Sequence, residues 1–218
     1  TITADFAARL GDGLVTAVEQ TPEAVQLTLD EAERQGRVIT AVVGDVHALD
    51  FPDDTFDIVH AHQVLQYLAD PVGALREMKL VCRPGGIVAV RDADYAAFSW
   101  FPLMDELDEW MALYQRAARA HGGEPNAGRR LQGWARDAGL SEITGGASLW
   151  AYTTPQTRQY WGDMWAERIL HGPLPEQVLR EGWATPEDLA RISAAWRAWG
   201  ASDDGWLIVP HGHVVARP

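Results

Sequence analysis

The sequence has 218 residues, a formal net charge of −13 at pH 7, a hydrophobic content of 47% and a single cysteine, Cys82. The length suits one domain, or one domain with a cap, and the acidic charge argues against nucleic acid or an anionic membrane as a main partner. One cysteine excludes an intrachain disulfide and a cysteine-rich metal site. Because no membrane-length apolar run or signal peptide is visible, we expect a cytoplasmic protein.

The first third of the chain alternates between helical and strand-like patterns. A helical stripe over residues 2–10 ends at Gly11–Gly13, and the apolar run 14–18 predicts a strand that finishes on Glu19-Gln20. Residues 22–35 predict an amphipathic helix. Residues 38–43 then predict a second strand, closed by Gly44-Asp45.

The middle of the chain continues this alternation. Residues 56–60 and 87–90 are apolar runs, and between them a helix is predicted over residues 72–82, with Asp70 as its N-cap and Pro71 at its first position. Apolar strands joined by helices are typical of a parallel sheet covered on both faces. Polar residues follow these strands at the sheet edge where α/β proteins bind ligands: Asp45, His60–Gln63, Arg91, Asp92 and Asp94.

Beyond Asp94 the pattern favours a helical segment with closing strands. Helices are predicted over residues 103–121, 130–139 and 186–199, and a strand over 143–149. Residues 206–209 and 213–216 predict a closing hairpin around Pro210-His211-Gly212. We therefore divide the chain into a ligand-binding part, residues 1–94, and the rest of the same domain with a cap, residues 95–218.

A series of short motifs resembles the class I S-adenosylmethionine-dependent methyltransferases, in particular the small-molecule group similar to ubiquinone/menaquinone-biosynthesis-type enzymes. The matching residues are Gly44-Asp45-Val46, Phe51-Pro52-Asp53, Thr55-Phe56-Asp57, Asp70-Pro71, Ala74-Leu75, Glu77 and Arg83-Pro84-Gly85-Gly86. The resemblance is strong to Asp94 and architectural beyond it. It implies an α/β fold: a Rossmann-like doubly wound, mostly parallel sheet with a closing antiparallel hairpin and a helical cap.

The family's glycine-rich loop after its first strand, D-x-G-x-G-x-G, has no counterpart in this sequence. Residues 1–11 resemble the helix that follows that loop. We therefore expect the sequence to be an N-terminally incomplete view of a longer protein. The alternative is a degenerate relative that has lost cofactor binding and acts as a non-catalytic binding or scaffold protein.

The resemblance also implies a set of cofactor-binding residues for S-adenosylmethionine. Glu19, with its neighbour Gln20, takes the position of the acid that accepts hydrogen bonds from the ribose hydroxyls, which suits an acceptor-only carboxylate. Asp45 matches the acid that binds the adenine amino group, the backbone amide of Val46 would meet the ring, and His62 matches a contact near the sulfonium. Glu19 could instead start a helix, and Asp45 could be a turn residue.

No catalytic residue can be chosen from the sequence. His60 and His62 would lie on one face of a strand, but no third ligand at metal-binding spacing follows, so we predict no metal site. A carbon acceptor activated by its own ring, or an amine, can react without a base, whereas an oxygen acceptor needs one. The candidates for that base are His60, His62, Asp94, Tyr95 and His211.

The predicted reaction is in-line methyl transfer to a small-molecule acceptor, followed by release of S-adenosylhomocysteine. The tryptophans of the second half would suit an apolar or aromatic acceptor, with helix-packing core as the alternative: Trp100, Trp110, Trp150, Trp161 and Trp165. A homodimer is compatible with the sequence. A nicotinamide-dependent oxidoreductase shares the strand-tip acid, but it would need Gly-x-Gly-x-x-Gly and has no place for the motif series.

Overall fold

A computed structural model describes residues 2–10 and 13–218. The helices of this part are α1 (Ile2–Arg9), α2 (Pro22–Arg34), α3 (Pro71–Val81), α4 (Asp105–Ala120), α5 (Leu131–Asp137), α6 (Pro155–Arg168), α7 (Pro173–Arg180) and α8 (Pro186–Ala201). The strands are β1 (Thr16–Glu19), β2 (Thr40–Val43), β3 (Phe56–His62), β4 (Cys82–Ala93), β5 (Ser99–Phe101), β6 (Ser141–Tyr152) and β7 (Trp206–Arg217). The helices and strands of the first ninety residues lie close to their predicted positions, except that β4 begins at Cys82, which was predicted to end the preceding helix, and not at Ile87.

The strands form two hydrogen-bonded sheets. β1 and β2 pair in parallel, and β3 pairs in parallel with β4. β7 runs antiparallel to β4, β5 and β6, and completes a five-stranded sheet. Among the described residues no pairing joins β1 or β2 to the five-stranded sheet. The alternation of strands and helices confirms the predicted α/β class.

Helix α3 shows how local sequence fixes one of these elements. Asp70 is the N-cap, and its Oδ1 accepts a hydrogen bond from the Gly73 N–H at 2.8 Å. Pro71 occupies the first helical position, where no backbone donor is needed. The apolar face then packs against β3 and β4 through Ala74, Leu75, Met78 and Val81, which are all buried.

The predicted closing hairpin is wrong, because residues 206–217 form one continuous strand. The sequence Pro210-His211-Gly212 is typical of a turn, yet each of the three residues is paired with a neighbouring strand. Gly212 is needed because a Cβ there would collide with the backbone of Gly128. The antiparallel closure of the sheet is instead the β6–β7 pair, whose strands are separated in the chain by three helices.

Two buried clusters hold the described part together. One lies between the five-stranded sheet and helices α3 and α5. The other is rich in aromatic side chains and joins α4, α6, α7 and α8, with Trp110, Trp161 and Trp165 among its buried members. These three tryptophans therefore serve as helix-packing core, while the division of the chain at Asp94 remains a prediction.

Within residues 2–10 and 13–218, no helix combines the length and the apolar character needed to cross a membrane.

Candidate functional site

The tips of β1 and β2 bring Glu19 and Asp45 close together. Glu19 is the last residue of β1 and pairs with Val43 at the end of β2. The Gly44 N–H donates a hydrogen bond to the Glu19 carbonyl at 2.9 Å, so the backbone that leads to Asp45 is fixed to the end of β1. A Cβ at position 44 would lie 2.9 Å from a Val18 methyl carbon, which favours glycine there. The two acids predicted from the sequence thus share one sheet edge.

The Glu19 carboxylate is held in place but only partly engaged. Its Oε1 accepts a hydrogen bond from the Thr28 hydroxyl of α2 at 2.8 Å. Its Oε2 has no hydrogen-bond partner in the described part of the chain. Helix α2 starts at Pro22 behind a Thr21 cap, so the helix-start alternative for Glu19 does not apply.

Asp45 does close a turn, as the alternative interpretation proposed. Its Oδ1 accepts hydrogen bonds from the backbone N–H of His47, at 2.9 Å, and from the His47 ring, at 3.0 Å. These bonds lower the pKa of Asp45 from its ordinary value, so the carboxylate is ionised at neutral pH. The side chain remains largely exposed, which leaves Oδ2 open to a ligand.

Two further predicted positions lie beside these acids. The Val46 N–H makes no hydrogen bond within the described part of the chain and is free to donate to a ring nitrogen. Gln20 follows Glu19 directly and is exposed. The strand tips therefore offer two carboxylates and a free backbone donor, a set whose chemistry fits the hydroxyl and amino groups of an adenosine.

A second group of polar side chains surrounds His62 at the end of β3. The His62 Nε2 lies 3.1 Å from Nη1 of Arg91 on β4, and because a guanidinium can only donate, the imidazole nitrogen accepts. The rings of His62 and Trp150 stack, with centroids 5.9 Å apart and an angle of 18°. Burial, and then the charge of Arg91, lower the pKa of His62 to about 4, so this imidazole is neutral at pH 7.

His211 belongs to the same group and is held from two sides. Its Nδ1 lies 2.9 Å from the Val209 carbonyl and so carries the proton, while its Nε2 accepts from the Gln63 amide at 3.2 Å. Gln63 stands in the left-handed region, with φ 53°, in the turn after β3. Burial, and then Arg91, lower the pKa of His211 to about 4, and its ring lies 4.3 Å from that of Trp150.

His60 lies on the same face as His62 and one step deeper in the strand. Its ring meets Phe6 of α1 edge-on, with centroids 4.8 Å apart. Burial lowers the pKa of His60, which also makes it neutral at pH 7. Its observed contacts are those of a packed aromatic residue.

Two of the candidate bases have other tasks. Both Asp94 oxygens accept from Arg129, at 2.5 and 2.7 Å, in a bidentate pair that fixes the segment after α4 to the end of β4. Tyr95 is buried between the rings of Phe98 and Tyr114, and burial raises its pKa well above the ordinary value. Neither group is poised to take a proton from a ligand at the sheet edge.

Asp92 supports the site from the buried face of β4. It is fully buried, and its Oδ1 accepts from the backbone N–H of Gln66 at 3.1 Å, which holds the turn after β3. Its Oδ2 has no partner in the described part of the chain. Burial raises the pKa of Asp92 to about 7, so a carboxyl that is ionised in water is half protonated at neutral pH.

No group of three or more His, Cys, Asp or Glu side chains in the described ranges is arranged to bind a metal ion.

Comparison with known proteins assigns this chain to a family. A family model described as a methyltransferase domain matches residues 2–90. An uncharacterised methyltransferase from Schizosaccharomyces pombe is 35% identical over 231 residues, an alignment that covers 99% of this chain and 80% of that protein. The chain belongs to the class I S-adenosylmethionine-dependent methyltransferases.

The methyltransferase family membership agrees with shorter and more distant similarities. The ubiquinone/menaquinone biosynthesis C-methyltransferase of Bdellovibrio bacteriovorus is 35% identical over 86 residues, which cover 39% of this chain and 37% of that protein. Among solved structures, a Haemonchus contortus phosphoethanolamine N-methyltransferase in complex with S-adenosylhomocysteine has a TM-score of 0.56 at 16% identity, with 98% of this chain and 46% of that chain covered. The latter similarity shows the fold alone.

One structural neighbour carries a different activity in its name. The [4+2]-cyclase SpnF has a TM-score of 0.53 at 22% identity, and the match covers 98% of this chain and 70% of that chain. A methyltransferase fold therefore does not by itself specify the reaction, which has to be argued from the site.

Sequence reasoning named two side chains of this candidate site without predicting their contacts, and it missed a third. Arg91 was visible as a polar residue after a strand, and Trp150 as one of several tryptophans, but neither pattern indicates a contact with His62. Ser148, which accepts from Arg91 Nε at 3.1 Å, lies 57 residues away in the chain and carries no sequence signal.

Proposed function

We propose that this chain binds S-adenosylmethionine at the tips of β1, β2 and β3 and transfers its methyl group to a small-molecule acceptor. The observation that carries the proposal is the pair of carboxylates, Glu19 and Asp45, joined through the Gly44–Glu19 backbone hydrogen bond at the ligand edge of a parallel pair of strands. That edge is where open α/β sheets bind ligands.

Each residue has a defined task in this proposal. Glu19 Oε2 accepts from the ribose hydroxyls, while Thr28 keeps the carboxylate oriented through Oε1. Asp45 Oδ2 accepts from the adenine amino group, and the Val46 N–H donates to the ring. When bound, the cofactor supplies an electrophilic methyl group on a positively charged sulfur.

In this proposal the acceptor lies beside the side chains around His62. His62 and His211 are neutral at pH 7, so neither adds a positive charge beside the sulfonium. Trp150 is partly exposed and offers a ring face. Orientation of the acceptor against the methyl group, rather than covalent help from the protein, is the expected source of acceleration.

Methyl transfer can be tested directly on the full-length natural protein. We would incubate it with S-adenosylmethionine carrying a labelled methyl group and with a panel of aromatic acids, phenols and amines, and follow label transfer together with S-adenosylhomocysteine release. The proposal predicts both, with loss of transfer in Glu19→Ala. Absence of both cofactor binding and label transfer would favour the non-catalytic alternative.

A further inference from the structure

One face of the five-stranded sheet carries a row of residues contributed by four strands. In the observed register His62 on β3 lies opposite Arg91 on β4, Arg91 opposite His213 on β7, and His213 opposite Gly146 on β6. Residues opposite one another in a sheet point to the same face. A side chain at position 146 would collide with the His213 ring, so glycine there makes room for this row.

Among the described residues, Arg91 is the only permanently charged member of this row, and it forms no ion pair with an acidic side chain. No carboxylate oxygen in the described part of the chain lies within 4.0 Å of its nitrogens, although the protein has a net charge of −13. Ten other arginines do form such ion pairs: Arg34, Arg83, Arg119, Arg129, Arg130, Arg158, Arg180, Arg191, Arg197 and Arg217. The adjacent acid, Asp92, binds the Gln66 backbone on the opposite face of β4.

The contacts of Arg91 orient it without neutralising it. Its Nε donates to the Ser148 hydroxyl and its Nη1 to the neutral His62, both at 3.1 Å, and its Cζ lies 5.0 Å from the centre of the Trp150 ring. A guanidinium has five N–H donors, so further donors, including those of Nη2, have no partner among the described residues. Partial burial lowers the pKa of Arg91, and the opposing effect of the neighbouring Asp92 charge is smaller.

We infer that Arg91, oriented by Ser148 and His62 and flanked by the Trp150 ring, binds a carboxylate of the methyl acceptor. An unpaired, half-buried cation at a ligand edge is costly unless an anion completes it, and a guanidinium matches the planar carboxylate with two parallel hydrogen bonds. This inference rests on the proposed function and adds to it the acceptor class: a planar compound that carries a carboxylate. The other source of a carboxylate is the amino-acid part of the cofactor itself.

The test uses benzoate and benzamide, which share a shape and differ in charge. We would titrate each into the full-length protein, with and without saturating S-adenosylhomocysteine, by ligand-observed NMR. Arg91→Gln removes the charge, and Arg91→Lys keeps the charge but lacks the two parallel N–H donors of a guanidinium. Arg37→Gln is the control, because it removes an exposed charge before the start of β2. Equal melting temperatures establish that the variants fold.

The inference predicts that benzoate binds at least about tenfold more tightly than benzamide, that Arg91→Gln abolishes this preference, and that Arg91→Lys restores part of it. S-adenosylhomocysteine affinity should stay within about twofold in Arg91→Gln. Equal binding of benzoate and benzamide would overturn the inference. A loss of S-adenosylhomocysteine affinity in Arg91→Gln as large as the loss for benzoate would also overturn it, since Arg91 would then hold the cofactor's own carboxylate.

Failure of the proposed function would give a different result from failure of the Arg91 inference. A wild-type protein that does not bind S-adenosylhomocysteine contradicts the cofactor assignment. The titrations without S-adenosylhomocysteine would still decide whether Arg91 binds a carboxylate.

Discussion

The Gln63 side chain donates a hydrogen bond to Nε2 of His211 across 3.2 Å, and so connects the turn after β3 to the middle of β7, 148 residues further along the chain. The bond requires His211 to be neutral, since a protonated Nε2 cannot accept. The neutral state of this imidazole is therefore part of the structure of the site.

His211→Gln tests that dependence. In the folded protein the pKa of His211 is about 4, below the ordinary value of 6.5, so the unfolded chain binds more protons between these pH values. Stability that depends on His211 is present above about pH 6.5 and is lost as pH falls toward 4. In urea unfolding at several pH values, the free energy of unfolding should fall less steeply with decreasing pH for His211→Gln than for the wild type. Parallel curves for the two proteins would contradict the assignment.

Asp92→Asn should change the pH dependence of stability in the opposite direction, because the contribution of Asp92 to stability decreases as pH rises. The folded pKa of Asp92 is raised to about 7, so between about pH 4 and 7 the folded state holds a proton that the unfolded state has lost. This contribution to stability is full below the unfolded pKa and is lost as pH rises toward 7. We expect the variant to gain stability relative to the wild type between pH 5 and pH 8 in urea unfolding. The exposed Asp50→Asn is the control and should show no such gain.

Gly212→Ala should destabilise the protein although it adds a single methyl group. A Cβ at position 212 would collide with the Gly128 backbone. Neither segment can move away easily, because Gly212 lies within strand β7 and Gly128 precedes Arg129, which is held by Asp94. We expect a loss of about 1–3 kcal/mol in the free energy of unfolding. Gly133→Ala is the matched control, because the added methyl group enters open space on helix α5 and should be neutral or stabilising by up to about 1 kcal/mol. Equal effects of the two substitutions would refute the close approach.

Two tryptophans should behave differently when truncated. Trp110 is fully buried and meets Trp165 and Trp196 edge to face, so Trp110→Ala should cost about 3–5 kcal/mol of stability. Trp150 is 37% exposed beside His62 and Arg91, so Trp150→Ala should cost much less stability and should weaken benzoate binding. Thermal melts and the benzoate titration measure the two effects. A Trp150→Ala variant that binds benzoate as the wild type does would remove this ring from the proposed acceptor site.

The sequence predicted those parts of the fold whose signals are local. Asp70-Pro71 and the spacing of Leu75 and Met78 define α3, and Glu19 and Asp45 lie at strand tips because an apolar run ends just before each. The path of β7 was not predictable in this way, since the turn-like Pro210-His211-Gly212 is kept extended by strands on both sides and by the approach of Gly128. A tertiary contact outweighed a local preference.

The candidate site also has one part that the local sequence predicts and another that depends on tertiary contacts. The residues proposed to bind the cofactor lie at or just after the ends of successive strands, so their positions can be read from the sequence. The other part of the site depends on register, because Arg91 meets His62 and Ser148 only when β3, β4, β7 and β6 are aligned as observed. No local pattern specifies that alignment.

The central claim is that Glu19 and Asp45 hold the adenosine of S-adenosylmethionine, and calorimetric titration of the full-length protein with S-adenosylhomocysteine tests it most directly. We predict that the wild type binds and that Glu19→Ala and Asp45→Ala each weaken binding by roughly tenfold to a hundredfold, the effect of losing a hydrogen bond to a charged group. Glu33→Ala, an exposed acid near the end of α2, should bind as the wild type does. Absence of binding by the wild type, or equal binding by all three variants, would contradict the claim.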